Sequence, residues 1–186
     1  MKFPDKYNCL IKNEYVTGGY KIVPIRYEDR FDIMNWRNQQ IYHLRQSKPL
    51  TENSQDYYFK NTVAKLFEQE KPNQILFSLI IKDICIGYGG LVHINWMDKN
   101  AEISFLIDSD LECNNFENYW SIFLKLIEKV AIDLQFYKIF TYAYDVRPNL
   151  YEVLIKNNYF EDARLYKHVY FGSEGYKDVV IHSKIL

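Results

Sequence analysis

The sequence predicts an α/β fold in which a central mixed sheet carries helices on both faces. Apolar residues recur with strand spacing and helix spacing in alternation along the 186 residues, as expected when a sheet and helices pack in layers. Hydrophobic residues make up 48% and charged residues 25% of the chain, which is ordinary for a folded domain and unlike a disordered protein. A chain of this length buries enough surface for one core without a metal or a disulfide.

About six to seven strands are predicted where β-branched and aromatic residues cluster between turn signals. Residues 101–107, AEISFLI, are almost continuously apolar, which favours a strand covered on both faces. The run GYGG at residues 87–90 lies inside a strand pattern, where it indicates close packing or a bulge rather than a phosphate cradle. The predicted strands span residues 20–26, 74–82, 84–96, 100–108, 138–144, 159–171 and 176–185.

Helical spacing of apolar residues predicts four helices between these strands. The strongest carries Phe116, Trp120 and Phe123 on one stripe, and Pro148 suits the first turn of a shorter helix. The predicted helices span residues 27–37, 52–69, 115–134 and 148–156.

Charge and cysteine content exclude several classes of protein. The 23 basic and 24 acidic side chains leave a formal charge of −1, so no basic excess indicates a nucleic-acid or membrane partner. Cys9, Cys85 and Cys113 are an odd number without metal-ligand spacing, which argues against a disulfide framework or a zinc site and favours the cytoplasm. The apolar runs are too short for a membrane span, and the N-terminus lacks the apolar stretch of a signal peptide.

Four stretches, taken in order, resemble one family. They are IGYGGLVHINW at residues 86–96, AEISFLI at 101–107, PNLYEVLIKNNYF at 148–160 and RLYKHVYFGSEGYKDVVIHSKIL at 164–186. The chain is similar to the GNAT superfamily of acyl-CoA-dependent N-acyltransferases. The resemblance points to the branch with the ribosomal-protein and bacterial amino-sugar N-acetyltransferases. It implies one GNAT-like domain over residues 20–186, preceded by an N-terminal extension at residues 1–19.

The resemblance also implies a reaction and its partners. Acetyl-CoA is the expected co-substrate, no metal is expected, and the amine of a small molecule attacks it directly in a ternary complex. A nucleotide-linked amino sugar is the expected acceptor. The alternatives are a protein N-terminal amine and a non-catalytic binding or regulatory domain. Neither nucleic acid nor membrane is an expected partner, and the sequence leaves open whether the protein forms a homodimer.

The expected cofactor site departs from the family pattern. Relatives cradle the pyrophosphate with Q/R-x-x-G-x-G/A at the start of the long helix, where amides and the helix dipole bind the anion. This chain has NFENYW at that place, without glycine and with an acidic residue. Weak or altered cofactor binding is therefore the alternative to the family's usual cofactor site. The residues that the resemblance assigns to the cofactor are Ser104, Phe105, Leu106, Ile107, Asn115, Phe116, Glu117, Asn118, Tyr119 and Asn149.

Three side chains are candidates for proton transfer. Glu102 lies in an apolar strand, where a carboxylate suits a general base, although pairing with an Arg or Lys is the alternative. His93 is a second candidate base, with a structural hydrogen bond as its alternative. Tyr151 is the candidate acid for the leaving thiolate, with aromatic packing as its alternative. A backbone amide around residues 104–106 is expected to stabilise the oxyanion.

The acceptor site is expected between the first two helices and the central strands. Arginines there would bind a phosphate or carboxylate in bidentate fashion, and an aromatic face would stack on a ring. A surface ion pair is the alternative for each arginine. The expected acceptor residues are Trp36, Arg37, Arg45, Gln46 and Tyr88.

Overall fold

Eight strands form one mixed sheet at the centre of the molecule, in the order β1-β2-β3-β4-β5-β6-β8-β7. The structure, a computed structural model, describes residues 2–186. Neighbouring strands are antiparallel except β5 and β6, which run parallel. The strands are β1 Tyr15–Thr17, β2 Tyr20–Pro24, β3 Ile75–Ile81, β4 Ile84–Asn95, β5 Asn100–Ile107, β6 Lys138–Tyr144, β7 Phe160–Tyr170 and β8 Tyr176–Ile185.

The helices begin where the sequence supplies caps. A capping box between Thr51 and Ser54 starts the second helix, and the Asp108 carboxylate accepts from the amides of Asp110 and Leu111 to start the fourth. The fifth begins at Pro148, which needs no amide partner there. The helices are α1 Arg30–Gln39, α2 Glu52–Tyr58 continuing through a π-helical turn Phe59–Val63 into α3 Ala64–Leu66, α4 Ser109–Asp133 and α5 Pro148–Lys156.

The predicted α/β fold is confirmed, with one strand more than predicted. The additional strand, β1, lies in the predicted N-terminal extension and pairs with β2, and Tyr7 of the same segment is fully buried. The predicted bounds of β6, α5 and β8 agree with the structure. The long helix begins six residues before the predicted start, because Asp108 caps a polar first segment that carries no apolar stripe.

Close strand packing explains the glycines of β4. A Cβ at Gly90 would lie 1.9 Å from the Ile75 carbonyl oxygen of β3, and one at Gly89 would lie 2.2 Å from the Ser104 carbonyl oxygen of β5. Neither distance is compatible with a side chain. The run therefore lets three backbones approach in the middle of the sheet, as predicted.

Different helices cover the two faces of the sheet. Phe105 of β5 stacks on Phe123 of α4, with 4.0 Å between ring centroids. Tyr88 of β4 pairs with Leu106, so its side chain lies on the opposite face, where the Arg37 guanidinium of α1 donates to its hydroxyl at 2.7 Å. Within residues 2–186, no helix has the length and apolar character needed to cross a membrane.

Candidate active site

The strands β5 and β6 separate after a short shared ladder, which opens a cleft in the middle of the sheet. Their pairing starts at Asn100 with Lys138 and ends where Glu102 pairs with Phe140. Beyond that point β5 stays with β4 as far as Ile107, while β6 stays with β8. The two strands therefore diverge toward their carboxyl ends.

Beyond the shared ladder, backbone amides of β5 face this cleft without a strand partner. The amide of Asp108 donates to the Ile86 carbonyl of β4 at 2.9 Å. Because amides alternate in direction along a strand, the amide of Phe105 points away from β4 and into the cleft. Over residues 2–186 the β5–β6 ladder ends before Phe105, so this donor is available to a ligand.

A cavity of about 390 Å³ fills the cleft and is called here the central cavity. Glu102 is the one carboxylate among the described residues that line it, against three arginines and two histidines. The central cavity is therefore rich in positive charge. The side chains concerned are Arg37, His43, Arg45, His93, Glu102 and Arg147.

Glu102 lies where the two strands begin to separate and holds two partners. Its Oε1 accepts from Arg45 Nη2 at 3.0 Å, and its Oε2 lies 2.7 Å from Nδ1 of His93. Glu102 has 11% of its side-chain surface exposed, whereas His93 has 64% exposed. The carboxylate is thus shielded within the strand while its partners face the solvent side of the cleft. The ion pair with Arg45 agrees with the alternative predicted for Glu102, and its role as a base stays a prediction.

A bulge in β4 directs His93 toward Glu102. The β4–β5 register shifts between Val92 and Asn95, and His93 has a positive φ of 47°. A bulge places an extra residue in one strand and changes the direction of its side chain. The candidate base and its imidazole neighbour are therefore brought together by irregular pairing that alternation alone does not predict.

The connection between α1 and α2 carries Arg45 to the cleft. Arg37 Nε donates to Gln46 Oε1 at 2.9 Å, and the Asn38 side chain bonds the backbone of Leu50 at both its carbonyl and its amide. These bonds fasten the connection to α1. Arg45 then extends over the Tyr142 ring of β6, with 4.2 Å to the ring centroid.

A second cavity of about 360 Å³ adjoins the first between α1, α2 and the sheet, and is called here the side cavity. Arg37, Gln74, Val92 and Ser104 line both cavities. The structure therefore places the predicted acceptor residues Arg37, Arg45 and Tyr88 around one connected space, with Gln46 bonded to Arg37. Most of the remaining side-cavity wall is apolar or aromatic, namely Ile25, Ile33, Leu50, Tyr58, Phe59 and Leu76.

The predicted pyrophosphate segment lies at a break in α4. Asn115 has non-helical φ and ψ of −156° and 43°, so a second helical segment begins at Phe116 with its own first-turn amides. Glu117, the acidic residue of this turn, is held by Lys156 Nζ at 2.8 Å from both carboxylate oxygens. The Arg147 guanidinium lies 5.0 Å from the centroid of the Phe116 ring. First-turn amides are thus available to an anion although glycine is missing, while the nearby cations Lys156 and Arg147 each pair with a carboxylate.

Arg147 has 14% of its side-chain surface exposed and contacts both α4 and the α1–α2 connection. It donates to Glu112 on the first segment of α4, and its Nη1 lies 3.2 Å from Nε2 of His43. Burial and the Arg147 charge lower the pKa of His43 to about 3, so this imidazole is neutral near pH 7. Neither Arg147 nor His43 is among the site residues predicted from the sequence. The signal for Arg147 is its position in the short connection between β6 and Pro148, the first residue of α5.

The predicted acid, Tyr151, is directed away from the central cavity. Its hydroxyl donates to Asp145 Oδ1 at 2.9 Å, and its ring stacks on His182 with 5.1 Å between centroids. Burial raises the pKa of Tyr151, as does its hydrogen bond to Asp145. Tyr144 of β6 does line the central cavity, and burial raises its pKa as well.

Several other predicted site residues are not brought to either cavity. Trp36 is buried and donates from Nε1 to Asp108 at 3.0 Å, which supports the cap of α4 instead of an acceptor. Tyr119 packs edge-on against Tyr20 of β2, with 6.1 Å between ring centroids. The other predicted residues outside both cavity walls are Gln46, Leu106, Ile107, Asn115, Phe116, Glu117, Asn118 and Asn149.

Comparison with models of known protein families identifies the family of the chain. The family model described as Acetyltransferase (GNAT) domain matches residues 22–172, which is most of the chain. The chain belongs to this family, and the resemblance predicted above is confirmed. It is an acyl-CoA-dependent N-acetyltransferase, and members of the family use acetyl-CoA.

Solved structures share the fold at low sequence identity. Spermidine N-acetyltransferase from Vibrio cholerae, solved with CoA and spermine, is 14% identical over 91% of this chain and 96% of its own, with a TM-score of 0.75. RimL, a ribosomal alpha-N-protein acetyltransferase solved with coenzyme A, is 12% identical over 92% of this chain and 96% of its own, with a TM-score of 0.75. A probable acetyltransferase from Chromobacterium violaceum is 12% identical over 97% of this chain and 95% of its own, with a TM-score of 0.72. No curated protein sequence matches the chain. Among residues 2–186, no group of three or more His, Cys, Asp or Glu side chains is placed to hold a metal ion.

Proposed function

We propose that the protein transfers an acetyl group from acetyl-CoA to the primary amine of a small acceptor in the central cavity, with Glu102 as the base. The position of Glu102 carries this proposal. It is a shielded carboxylate at the point where β5 and β6 separate, three residues from a backbone amide that faces the same cleft.

The reaction needs a proton acceptor and an oxyanion donor, and this chain offers both. Acetyl-CoA supplies an acetyl group as a thioester. The acceptor ammonium loses a proton to Glu102, directly or through water, and its nitrogen then forms the amide bond while the carbon–sulfur bond breaks. The Phe105 amide donates to the carbonyl oxygen as negative charge develops on it. His93 at 2.7 Å orients Glu102 and passes the proton to solvent.

The protonation of the leaving thiolate has two candidate phenols. Tyr151, the residue predicted from the family, is bound to Asp145 outside the cavity wall. Tyr144 lines the central cavity, so we propose Tyr144 as the nearer donor of a proton to sulfur.

The start of the second segment of α4 is the proposed site of the cofactor phosphates. Its first-turn amides supply donors, Lys156 compensates the acidic Glu117, and the Arg147 guanidinium lies beside the Phe116 ring. We therefore favour a functional cofactor site over a non-catalytic domain, despite the missing glycines.

The charge of the cavities supports an anionic acceptor. The one lining carboxylate among the described residues is already bound by Arg45 and His93, so a polycation finds no free acidic partner. A nucleotide-linked amino sugar therefore fits better than a polyamine or a cationic protein N-terminus. The three cysteines are free, which is in keeping with a proposed cytoplasmic location.

A direct assay tests this proposal. Thiol release from acetyl-CoA is followed with nucleotide-linked amino sugars, spermidine and a basic peptide, alongside thermal unfolding with acetyl-CoA alone. We expect a rise in melting temperature of several degrees at saturation and turnover with the anionic amines. A thermal shift without turnover on any amine would favour a binding domain, and turnover confined to spermidine or the peptide would overturn the acceptor.

A further inference from the structure

Five of the six arginines of this chain pair with a carboxylate within residues 2–186, and Arg37 is the exception. The paired ones reach their acidic partners at distances up to 3.5 Å. They are Arg26, Arg30, Arg45, Arg147 and Arg164. Arg37 thus stands out by its surroundings and not by its residue type.

The described contacts of Arg37 are neutral and use only part of its guanidinium. Nε donates to Gln46 Oε1 at 2.9 Å, and Nη1 donates to the Tyr88 hydroxyl at 2.7 Å. No hydrogen bond described within residues 2–186 uses Nη2. The group is therefore held in place by two bonds, while its charge and one nitrogen remain available to an anion.

Arg37 lies at the junction of the two cavities. It lines the central cavity together with Glu102, and it lines the side cavity as the only residue with a formal charge among those described there. The side cavity beyond it is walled mainly by apolar and aromatic side chains such as Ile33, Phe59 and Leu76. The connected space therefore has three chemically different regions, namely the carboxylate of Glu102, the cation of Arg37 and the apolar wall of the side cavity.

We propose that Arg37 is the specificity-determining residue for an acceptor that combines a primary amine, an adjacent carboxylate or phosphate, and an apolar portion. The amine faces Glu102, the anion bonds the free side of Arg37, and the apolar portion occupies the side cavity. This inference rests on the proposed function for the position of the amine. It assigns the anionic contact to Arg37 and leaves Arg45 to Glu102.

Matched pairs of amines that differ only in the anion test the inference. Phenylalanine and its phosphonate analogue, 1-amino-2-phenylethylphosphonate, are each compared with phenethylamine by kcat/KM at saturating acetyl-CoA. We expect the kcat/KM of the member with the anion to be higher by about tenfold or more in at least one pair. The reason is that hydrogen bonds to charged groups contribute more than those between neutral groups. The pair that shows the effect distinguishes carboxylate from phosphate.

Variants separate a specific contact from a general loss. Arg37→Gln should reduce the preference within the responding pair to about threefold or less. Arg30→Gln, the same substitution on the same helix outside both cavities, should keep it. A wild type without preference in either pair, or an Arg37→Gln variant that keeps the preference, would overturn the inference.

Binding of non-amine anions keeps the test independent of catalysis. Hydrocinnamate and phenyl phosphate carry the anion and the apolar portion but no amine, so they report on Arg37 even if no amine is acetylated. Calorimetric binding that Arg37→Gln weakens about tenfold would support the inference while the proposed acetyl transfer fails. Acetyl transfer without binding of either anion would agree with the proposed function but would overturn this inference.

Discussion

The Arg45 guanidinium donates to Glu102 Oε1 at 3.0 Å across 57 positions of sequence. The same Nη2 lies 3.5 Å from the Tyr142 carbonyl oxygen of β6. Arg45 thereby connects the α1–α2 segment to both strands at the place where they separate. The candidate base is held by a loop that also borders the proposed acceptor site, so we expect acceptor binding to affect the position of the base.

Replacing Glu102 tests the base directly. We expect Glu102→Gln to lower kcat by about 100-fold or more, because the amide keeps the shape but cannot take a proton at neutral pH. Steady-state kinetics measure the effect, and unchanged circular dichroism verifies folding. Glu174→Gln, in an exposed turn, is the matched control and should stay near wild type. A Glu102→Gln variant within threefold of wild type would assign the proton transfer to another group.

Replacing Arg45 separates a positioning role from an acceptor contact. We expect Arg45→Met to lower kcat about tenfold with a smaller change in acceptor KM, because Glu102 loses the bond that orients it. Arg45→Lys, which keeps the charge but not the planar fork, should recover part of kcat. If acceptor KM rises strongly while kcat is retained, Arg45 contacts the acceptor instead.

The ion pair of Lys156 with Glu117 makes a prediction about cofactor affinity. We expect Lys156→Ala to raise the Kd for CoA several-fold, because the Glu117 charge beside the helix start is then uncompensated. Adding Glu117→Gln in the same chain should restore the affinity. Both side chains are more than half exposed, so the effect should shrink at high salt.

A ligand without phosphates is the control for this pair. Binding of acetylpantetheine, followed by calorimetry, should not respond to either substitution. Equal weakening of CoA and acetylpantetheine by Lys156→Ala would show that the substitution disturbs α5 rather than the phosphate site.

The buried His43 predicts a loss of stability in acid. Its pKa in the folded protein is about 3, below the ordinary value near 6.5, so between these values the unfolded chain binds a proton that the folded chain does not. The contribution is fully present above pH 6.5 and decreases as pH falls toward 3. We expect His43 to account for on the order of 1 kcal/mol of lost unfolding free energy between pH 7 and pH 5.

Urea unfolding at the two pH values measures this effect in wild type and in His43→Gln. The variant should lose less stability on acidification, although it is less stable at pH 7. An identical pH dependence in both proteins would mean that folding does not lower the pKa of His43.

The glycines of β4 predict a steep steric penalty. We expect Gly90→Ala to lower the unfolding free energy by roughly 3 kcal/mol or more, because its Cβ would meet the backbone of β3 and the strands cannot both stay in place. Gly172→Ala is the control, since that site is open and only its positive φ of 57° is unfavourable, at about 1 kcal/mol. Chemical denaturation compares the two, and similar penalties would contradict the close packing of β3 and β4.

The sequence predicts most of the sheet because its signals are local. Lys138–Tyr144, Pro148–Lys156 and Tyr176–Ile185 are bounded by proline, glycine and a clear change of period, and their ends agree with the structure. The first segment of α4 is missed because its residues are polar and its cap, Asp108, was assigned to the preceding strand. The three-residue β1 is too short for periodicity to detect.

The site is predicted only as far as strand alternation reaches. Glu102 and His93 are both candidates on predicted strands, but their contact depends on the bulge in β4, which the sequence pattern does not show. The contact of Arg147 with His43 joins residues 104 positions apart, which no spacing encodes. Tyr151 and Trp36 are correctly placed on helices, but the direction in which a helix faces depends on its packing partners. Which side chains reach the cavities therefore depends on packing between elements, which sequence spacing does not encode.

The separation of β5 from β6 also leaves two sheet edges inside the molecule. An exposed edge usually invites another chain to pair with it, and proteins protect such edges to avoid aggregation. Here the neighbouring strands β4 and β8 occupy the outer sides, so the free backbone groups face the central cavity. The fold thereby keeps these two unpaired edges in the interior of its own sheet and away from the outer rim, where another chain could pair with them.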